Sequence, residues 1–504
     1  MCGYLLILPD TNIDNLMKRT FSFFSALFLF LGLAAQPKIE SVTYKRFMQA
    51  APPLECIGRI QPRPSGTIPA TRWSIGCECL DRNYSRFAAY ADELPALGVG
   101  FARIQSGWAR TEQKKGKYDF AWLDEVVDGL CRRSITPWMC LCYGNPLYID
   151  TDASLGSVIF GDGPVMDAWL RYVEAVVKRY QGRIDCWEVW NEPNIKDNKF
   201  HPERYQNLLV RTCEAIRKVD SGAHIAAFGL ASFDMPFFRS VLDGLKAEGR
   251  TGLFDYVTLH KYYENPDDAD VDFALFEDAV RDFDPSVRII MGESGCPSQL
   301  GWAHALKLIE WDEYRQAKVV LRRMACDFRL GHPSSIFTIA DNNCREIHFR
   351  QSFGLLCTDL EGTIIYRKPS FYGVQSMVNL LPDTVRPVEL DYTANTVRTL
   401  KVVGLEDDGG RRIGLMMWYA DNAPVSALDW DRVTLTVEDH QVKDPVFVEP
   451  VTGRVFALDR YHRSPNATFT KYTDVPVWDA PVFILSAEAL SVTSADDTRS
   501  LEEF

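Results

Sequence analysis

The run Trp187-Glu188-Val189-Trp190-Asn191-Glu192-Pro193-Asn194 sets an amide and a carboxylate directly before a proline. Proline cannot continue a central strand, so a strand arriving here must stop and leave Asn191 and Glu192 at its end. A second run, Arg288-Ile289-Ile290-Met291-Gly292-Glu293-Ser294-Gly295, places another acid after apolar residues and between two glycines. Two opposed carboxylates are what hydrolysis of a glycosidic bond requires. One protonates the departing oxygen, and the other attacks the anomeric carbon or activates water. A gap of about 5–5.5 Å gives the covalent, retaining route, and one of about 6.5–9.5 Å holds an inverting water. Either glutamate alone reads better as a helix cap or a partner of arginine; the pair is what points to chemistry.

Other polar and aromatic residues stand where strands end. Asn145, before Pro146, either binds a sugar hydroxyl or forms the turn. Glu78 ends the first apolar run and either grips two hydroxyls or makes a core ion pair. Trp108 and Trp302 are candidates for stacking on pyranose faces, although with twelve tryptophans in the chain most must lie in the core.

These residues need a scaffold that brings distant strand ends together. From Thr71 onward, short β-rich apolar runs alternate with helical patterns, the signature of parallel strands joined by crossover helices. The candidate strands are Arg72–Cys79, Phe101–Gln105, Thr136–Cys142, Cys186–Trp190, His224–Gly229, Tyr256–His260, Val287–Met291 and Ser334–Ile339. Eight such units predict an α/β fold, a closed (β/α)8 TIM barrel over 71–381 with its site at the carboxyl ends of the strands. Strands four and seven then face each other across one pocket, carrying Glu192 and Glu293. A doubly wound sheet is the alternative, but no glycine-rich phosphate loop follows the first strand.

After about Leu381 the helical period disappears, and strand-like runs alternate with turn signals such as Asp407-Asp408-Gly409-Gly410. This predicts an antiparallel β-sandwich over 382–491, followed by a frayed acidic tail over 492–504. Residues 36–70 read as a strand, Ile39–Phe47, lent to that module, and then a Pro-rich linker.

The apolar run Phe21–Leu33, between Lys18-Arg19 and Ala34-Ala35-Gln36, has the pattern of a secretory signal peptide within residues 1–35 and is too short to span a bilayer. Met17 is the expected true start, and a secreted or periplasmic location with no span after cleavage follows. The 504 residues carry a formal charge of −13 and 12% aromatics. Such a surface repels phosphate backbones, which excludes nucleic acid as a partner and leaves rings free for neutral ligands. Thirteen cysteines include no CxxC pair, and several alternate within apolar runs. No metal site and no cofactor are expected.

The WNEPN and GESG motifs at strands four and seven make the chain resemble the retaining glycoside hydrolases of clan A. The run Ser106-Gly107-Trp108-Ala109-Arg110-Thr111-Glu112, with Gly116-Lys117-Tyr118-Asp119-Phe120 and Leu123-Asp124, is similar to the neighbourhood in family 39, which includes β-xylosidase-like enzymes. The resemblance spans the barrel and the trailing β module. It implies Glu192 as general acid/base, Glu293 as nucleophile and Asn191 as the ligand of the sugar 2-hydroxyl. It also implies Arg103 and Tyr262 as the groups that keep Glu293 ionised, and His260 as the rim histidine common in the clan. Where clan members place a tryptophan at the end of strand eight, this chain reads Phe337-Thr338-Ile339-Ala340-Asp341-Asn342-Asn343. Polar groups are expected to replace the ring, with Asp341 and Asn342 contacting hydroxyls or forming a plain turn. The function expected is a secreted retaining β-glycosidase acting on β-linked oligo- or polysaccharide fragments. An endo-acting glycanase and a noncatalytic carbohydrate-binding protein are the alternatives.

Overall fold

The computed structural model describes residues 41–149, 159–466 and 468–494. The leader and the start at Met17 lie outside the described residues.

Eight parallel strands close into a barrel: β1 (Trp73–Gly76), β2 (Phe101–Gln105), β3 (Thr136–Leu141), β4 (Cys186–Val189), β5 (His224–Leu230), β6 (Tyr256–His260), β7 (Arg288–Ser294) and β8 (Ser334–Ile336). Helices on the outside bury one face each. Ala121–Cys131 turns Leu123, Val126, Val127 and Leu130 inward, and Pro164–Tyr180 does the same with Trp169, Val173, Val176 and Val177. β7 runs to Ser294, past the expected Met291, because its pairing with β6 skips Gly292: Leu259 faces Met291, and His260 faces Glu293. One extra residue in a strand bends it and re-aims the next side chain, which here is Glu293.

Two short antiparallel hairpins follow the last barrel strand, Asn342–Cys344 with Phe349–Gln351 and Leu356–Thr358 with Ile364–Arg367, and the other strands form two larger antiparallel sheets. The larger runs in the order Val385–Val388, Leu400–Asp407, Arg412–Tyr419, Val482–Ser486, Pro445–Glu449, Arg454–Ala457, Cys56–Ile60 and Val492–Ser494. The smaller runs Tyr392–Ala394, Asp431–Glu438, Phe469–Val477 and Tyr461–Arg463.

Two expectations are corrected at the chain ends. The strand expected over Ile39–Phe47 is a helix, Val42–Gln49. Ser41 caps it by accepting from the Tyr44 amide, and Tyr44 and Phe47, three residues apart, share its buried side. The strand that joins the larger sheet comes instead from the Pro-rich stretch, as Cys56–Ile60. The start of the expected frayed tail, Val492–Ser494, pairs with it. Gly58 permits the approach, since a Cβ there would lie 2.3 Å from the Thr493 carbonyl oxygen.

Helix Glu313–Leu330, which leads from the Glu293 side into β8, is buried from Gln316 to Phe328 and ties the barrel to the sheets with cations. Lys318 Nζ meets Asp479 at 2.6 Å and the Val425 carbonyl at 3.0 Å; Arg322 meets Asp267 at 2.6 Å and the Asn422 carbonyl at 2.8 Å. Removing one member of such a buried pair costs about 3–5 kcal/mol, so the β module braces the wall that carries the site.

Candidate active site

At the carboxyl ends of the strands a pocket of about 300 Å³ is lined by Asn191, Glu192, Tyr262 and Glu293, with Arg82, Gln105, Tyr143, Phe337 and Phe353 around them. The chain leaves β4 through Trp190 (φ 71°) and Glu192 (φ 53°), both left-handed, which is uncommon for residues with side chains and typical of functional sites. The Glu192 amide is anchored on the Gly229 carbonyl at 2.9 Å. One oxygen of Glu192, one of Glu293 and a ring nitrogen of His260 all lie within 4.8 Å of one another. His260 is fully buried, with Nδ1 3.4 Å from Glu192 and 3.6 Å from Glu293. Its ring packs over Gly292, where a Cβ would come within 3.2 Å of Nε2.

The two glutamates sit in different surroundings. Arg103 Nη1 donates to Glu293 Oε1, and the Tyr262 hydroxyl donates to Oε2 at 2.8 Å. Burial by itself would raise the Glu293 carboxyl. His260, Arg103 and the Tyr262 hydroxyl overcome that and hold it below the ordinary range. Glu192 is a quarter exposed and meets the His260 ring at 3.4 Å. Asn191 Oδ1 accepts from Arg103 Nη2 at 2.9 Å, which aims the amide into the pocket.

The structure therefore brings together Glu192, Glu293, Asn191, Arg103, His260 and Tyr262, and it corrects the expected binding roles of several others. Trp108 is fully buried, stacked on Tyr148 at 5.3 Å, with Nε1 donating to Glu112 at 2.6 Å, so neither face is open to sugar. The Asn145 amide donates to the Glu112 carbonyl at 2.9 Å and its oxygen accepts from Leu147, which makes it the turn-former. Glu78 is buried beneath the pocket against Arg103 at 3.3 Å. Asp341 is buried between Lys368 at 2.7 Å and Arg350 at 2.8 Å, and Asn342 is buried with its amide on Gln351 at 3.3 Å. Neither lines the pocket, although Gln351, the partner of Asn342, does. Trp302 is exposed on the rim, its ring 5.3 Å from Phe349, which lies 5.3 Å from His304 at the pocket edge.

The end of strand eight is not a polar replacement for a ring. Phe337 lines the pocket and packs edge-on with Tyr262 at 6.2 Å, while Phe353 meets Tyr262 at 5.6 Å. Sequence alone did not single out Phe337, since an apolar ring at this point reads as the last core residue of strand eight. It also missed Arg82, which lines the pocket beside Gln105 and follows Glu78 by four residues.

Glu192, His260 and Glu293 have the types and spacing to hold a metal ion. Arg103 already neutralises Glu293 there, and a guanidinium on that carboxylate repels a dication. A larger cavity, about 780 Å³, opens at the opposite end of the barrel among Phe101, Trp138, Tyr256 and Arg288; Glu192 and Glu293 do not line it. All cysteines among the described residues are free thiols. No described helix is long and apolar enough to cross a membrane.

Residues 103–281 match the model of glycosyl hydrolases family 39. The fold is similar to that of a family 39 glycoside hydrolase from the gut symbiont Bacteroides cellulosilyticus WH2, at 17% identity and TM-score 0.59 over 83% of this chain and 81% of that one. It is also similar to a monomeric beta-xylosidase from Caulobacter crescentus CB15, at 17% identity and TM-score 0.54 over 85% and 98% of the two chains. A family 39 enzyme from Xanthomonas axonopodis pv. citri aligns at 15% identity and TM-score 0.54 over 90% and 99%. No curated protein matches the chain in sequence.

Proposed function

We propose that this chain is a clan A glycoside hydrolase of the family 39 type, a retaining β-glycosidase working by double displacement. The observation that carries the reading is the separation within 4.8 Å of a Glu192 oxygen and a Glu293 oxygen, which leaves no place for a water between Glu293 and a bound sugar. In the first step Glu293 attacks the anomeric carbon while Glu192 gives its proton to the departing oxygen. The glycosidic bond breaks, an ester to Glu293 forms, and the leaving group departs as the alcohol. In the second step Glu192 takes a proton from water, the oxygen attacks the same carbon, and Glu293 leaves as the carboxylate. Two inversions return the β configuration.

The surroundings support this division of labour. Arg103 and Tyr262 touch Glu293 and keep it ionised for attack, while Asn191 is positioned by Arg103 to meet a hydroxyl beside the anomeric carbon. A binding protein has no need of a nucleophile held ionised by burial-resisting partners. The exposed Trp302 ring, connected through Phe349 and His304 to the pocket edge, supports stacking of a further sugar of an oligosaccharide, and an endo-acting mode is the second reading that it favours. The leader pattern at Lys18–Gln36 supports action outside the cytoplasm.

The test is trapping. A 2-deoxy-2-fluoro β-glycoside with a dinitrophenyl leaving group is expected to inactivate the enzyme and leave one sugar on the peptide containing Glu293. No adduct, or an adduct on another residue, overturns the assignment.

A further inference from the structure

The Arg103 guanidinium has three buried carboxylates around it, not one. Nε and Nη2 meet Glu188 Oε2 at 2.8 and 2.5 Å, while Nη1 is shared between Glu293 Oε1 and Glu78 Oε1, the latter at 3.3 Å. Glu78, Glu188 and Glu293 are all almost wholly buried. Were all three ionised, three negative charges would crowd one guanidinium, with His260, 3.6 Å from Glu293 Oε2, serving Glu293 alone, and such a buried excess is relieved by taking up a proton. The other titratable groups around Glu78 are Cys77, Cys79, Tyr90 and Tyr262, thiols and phenols that can carry no positive charge and that burial pushes up, so they stay neutral.

The hydrogen bonds decide which carboxyl takes it. Glu188 receives two Arg103 donors and the Thr258 hydroxyl, and Glu293 receives Arg103 and Tyr262. Glu78 has only the long contact to Nη1, its own main-chain N–H and the Thr338 hydroxyl. That hydroxyl has one hydrogen, and it goes to the Gly76 carbonyl at 2.7 Å. Towards Glu78 Oε2, 3.4 Å away, Thr338 can therefore only accept, and an acceptor opposite a carboxyl oxygen calls for a proton on that oxygen. The carboxyl is seated where Gly76 has no side chain, since a Cβ there would lie 2.1 Å from Oε2.

We propose that Glu78 is a positioning residue kept as the neutral acid, its O–H turned to Thr338 Oγ1, so that the Arg103 charge remains with Glu293. Burial first, and then the Glu293 charge, push the Glu78 carboxyl up to about 8, which agrees with this placement. The consequence for catalysis rests on the retaining reading; the protonation of Glu78 does not.

The experiment uses the full chain and Glu78→Gln, the isostere of a neutral acid. Infrared difference spectra are taken in a Glu192→Ala background, so that Glu192 contributes no band. At pH 7 a protonated-carboxyl C=O band is expected that disappears when Glu78→Gln is added. Its absence from the parent, or its persistence in the Glu78→Gln variant, overturns the proposal. Thr338→Val removes the acceptor while keeping the shape, so it is expected to shift that band; an unshifted band contradicts the hydrogen bond. The second readout is the acid limb of kcat/KM, which reports Glu293 in the free enzyme. Glu78 and Glu293 touch one nitrogen and lie within about 6 Å of each other, so removing a charged Glu78 would drag that limb down by about one to two pH units. The limb is expected to stay within about 0.3 unit, and a fall of a unit or more refutes the neutral form. The infrared band needs no turnover, so an inactive protein that still shows it counts against the glycosidase reading and not against Glu78.

Discussion

Tyr262→Phe removes one oxygen and nothing else from the site. The ring keeps its packing against Phe337 at 6.2 Å and Phe353 at 5.6 Å, while Glu293 Oε2 loses a hydrogen bond of 2.8 Å. Burial and the neighbouring Glu293 push the phenol well above its usual range, so in the wild type it donates throughout working pH. A hydrogen bond to a charged group contributes about 1.5–3 kcal/mol, and 1.36 kcal/mol corresponds to one pH unit. The depressed Glu293 carboxyl is therefore expected to rise by about one to two units. Attack requires the carboxylate, so the acid limb of kcat/KM moves up by that amount while the alkaline limb stays in place. The same sign governs stability. A depressed carboxyl contributes stability that is present above its unfolded value and lost as pH falls through its folded value, and the variant has less of it to lose. The assay is kcat/KM against pH for both proteins on an aryl β-glycoside. An acid limb that stays put or moves down refutes the claim that Tyr262 holds Glu293 ionised.

Glu192→Ala should retain far more activity on dinitrophenyl glycosides than on natural sugars, with azide restoring part of the second step; equal losses on both would remove Glu192 from the acid role. Trp108→Phe deletes the buried 2.6 Å bond to Glu112, so denaturant titration should show a loss of about 2–4 kcal/mol with KM unchanged. A raised KM at unchanged stability would return Trp108 to the sugar. Activity should survive extensive chelation, and a loss restored by a stoichiometric divalent ion would contradict the reading of Glu192, His260 and Glu293 as protein groups acting without a metal.

The barrel was legible because each strand carries a short apolar run and each outer helix a face of apolar residues, both of which are local patterns. Glu192 and Glu293 were legible because Pro193 and the flanking glycines mark where strands stop. What sequence could not supply was the direction of side chains at those ends. Trp108, Asn145, Asp341 and Asn342 all sit near strand ends, yet each is tied to another protein group: Trp108 to Glu112 one turn on, Asn145 to the Glu112 carbonyl, Asp341 to Lys368 and Asn342 to Gln351. Phe353, which completes the aromatic wall, follows a short hairpin, Asn342–Cys344 with Phe349–Gln351, that no periodicity announced. The helix Val42–Gln49 was misread because over nine residues alternate apolar positions and a buried pair three apart look the same.

The most direct test is the anomeric configuration of the first-formed product, followed by proton NMR during hydrolysis of a β-glycoside before mutarotation sets in. With carboxylate oxygens within 4.8 Å, the proposed double displacement predicts a β product first, which later decays to the equilibrium mixture. An α product appearing first would show that water, and not Glu293, attacks the sugar, and would contradict the account.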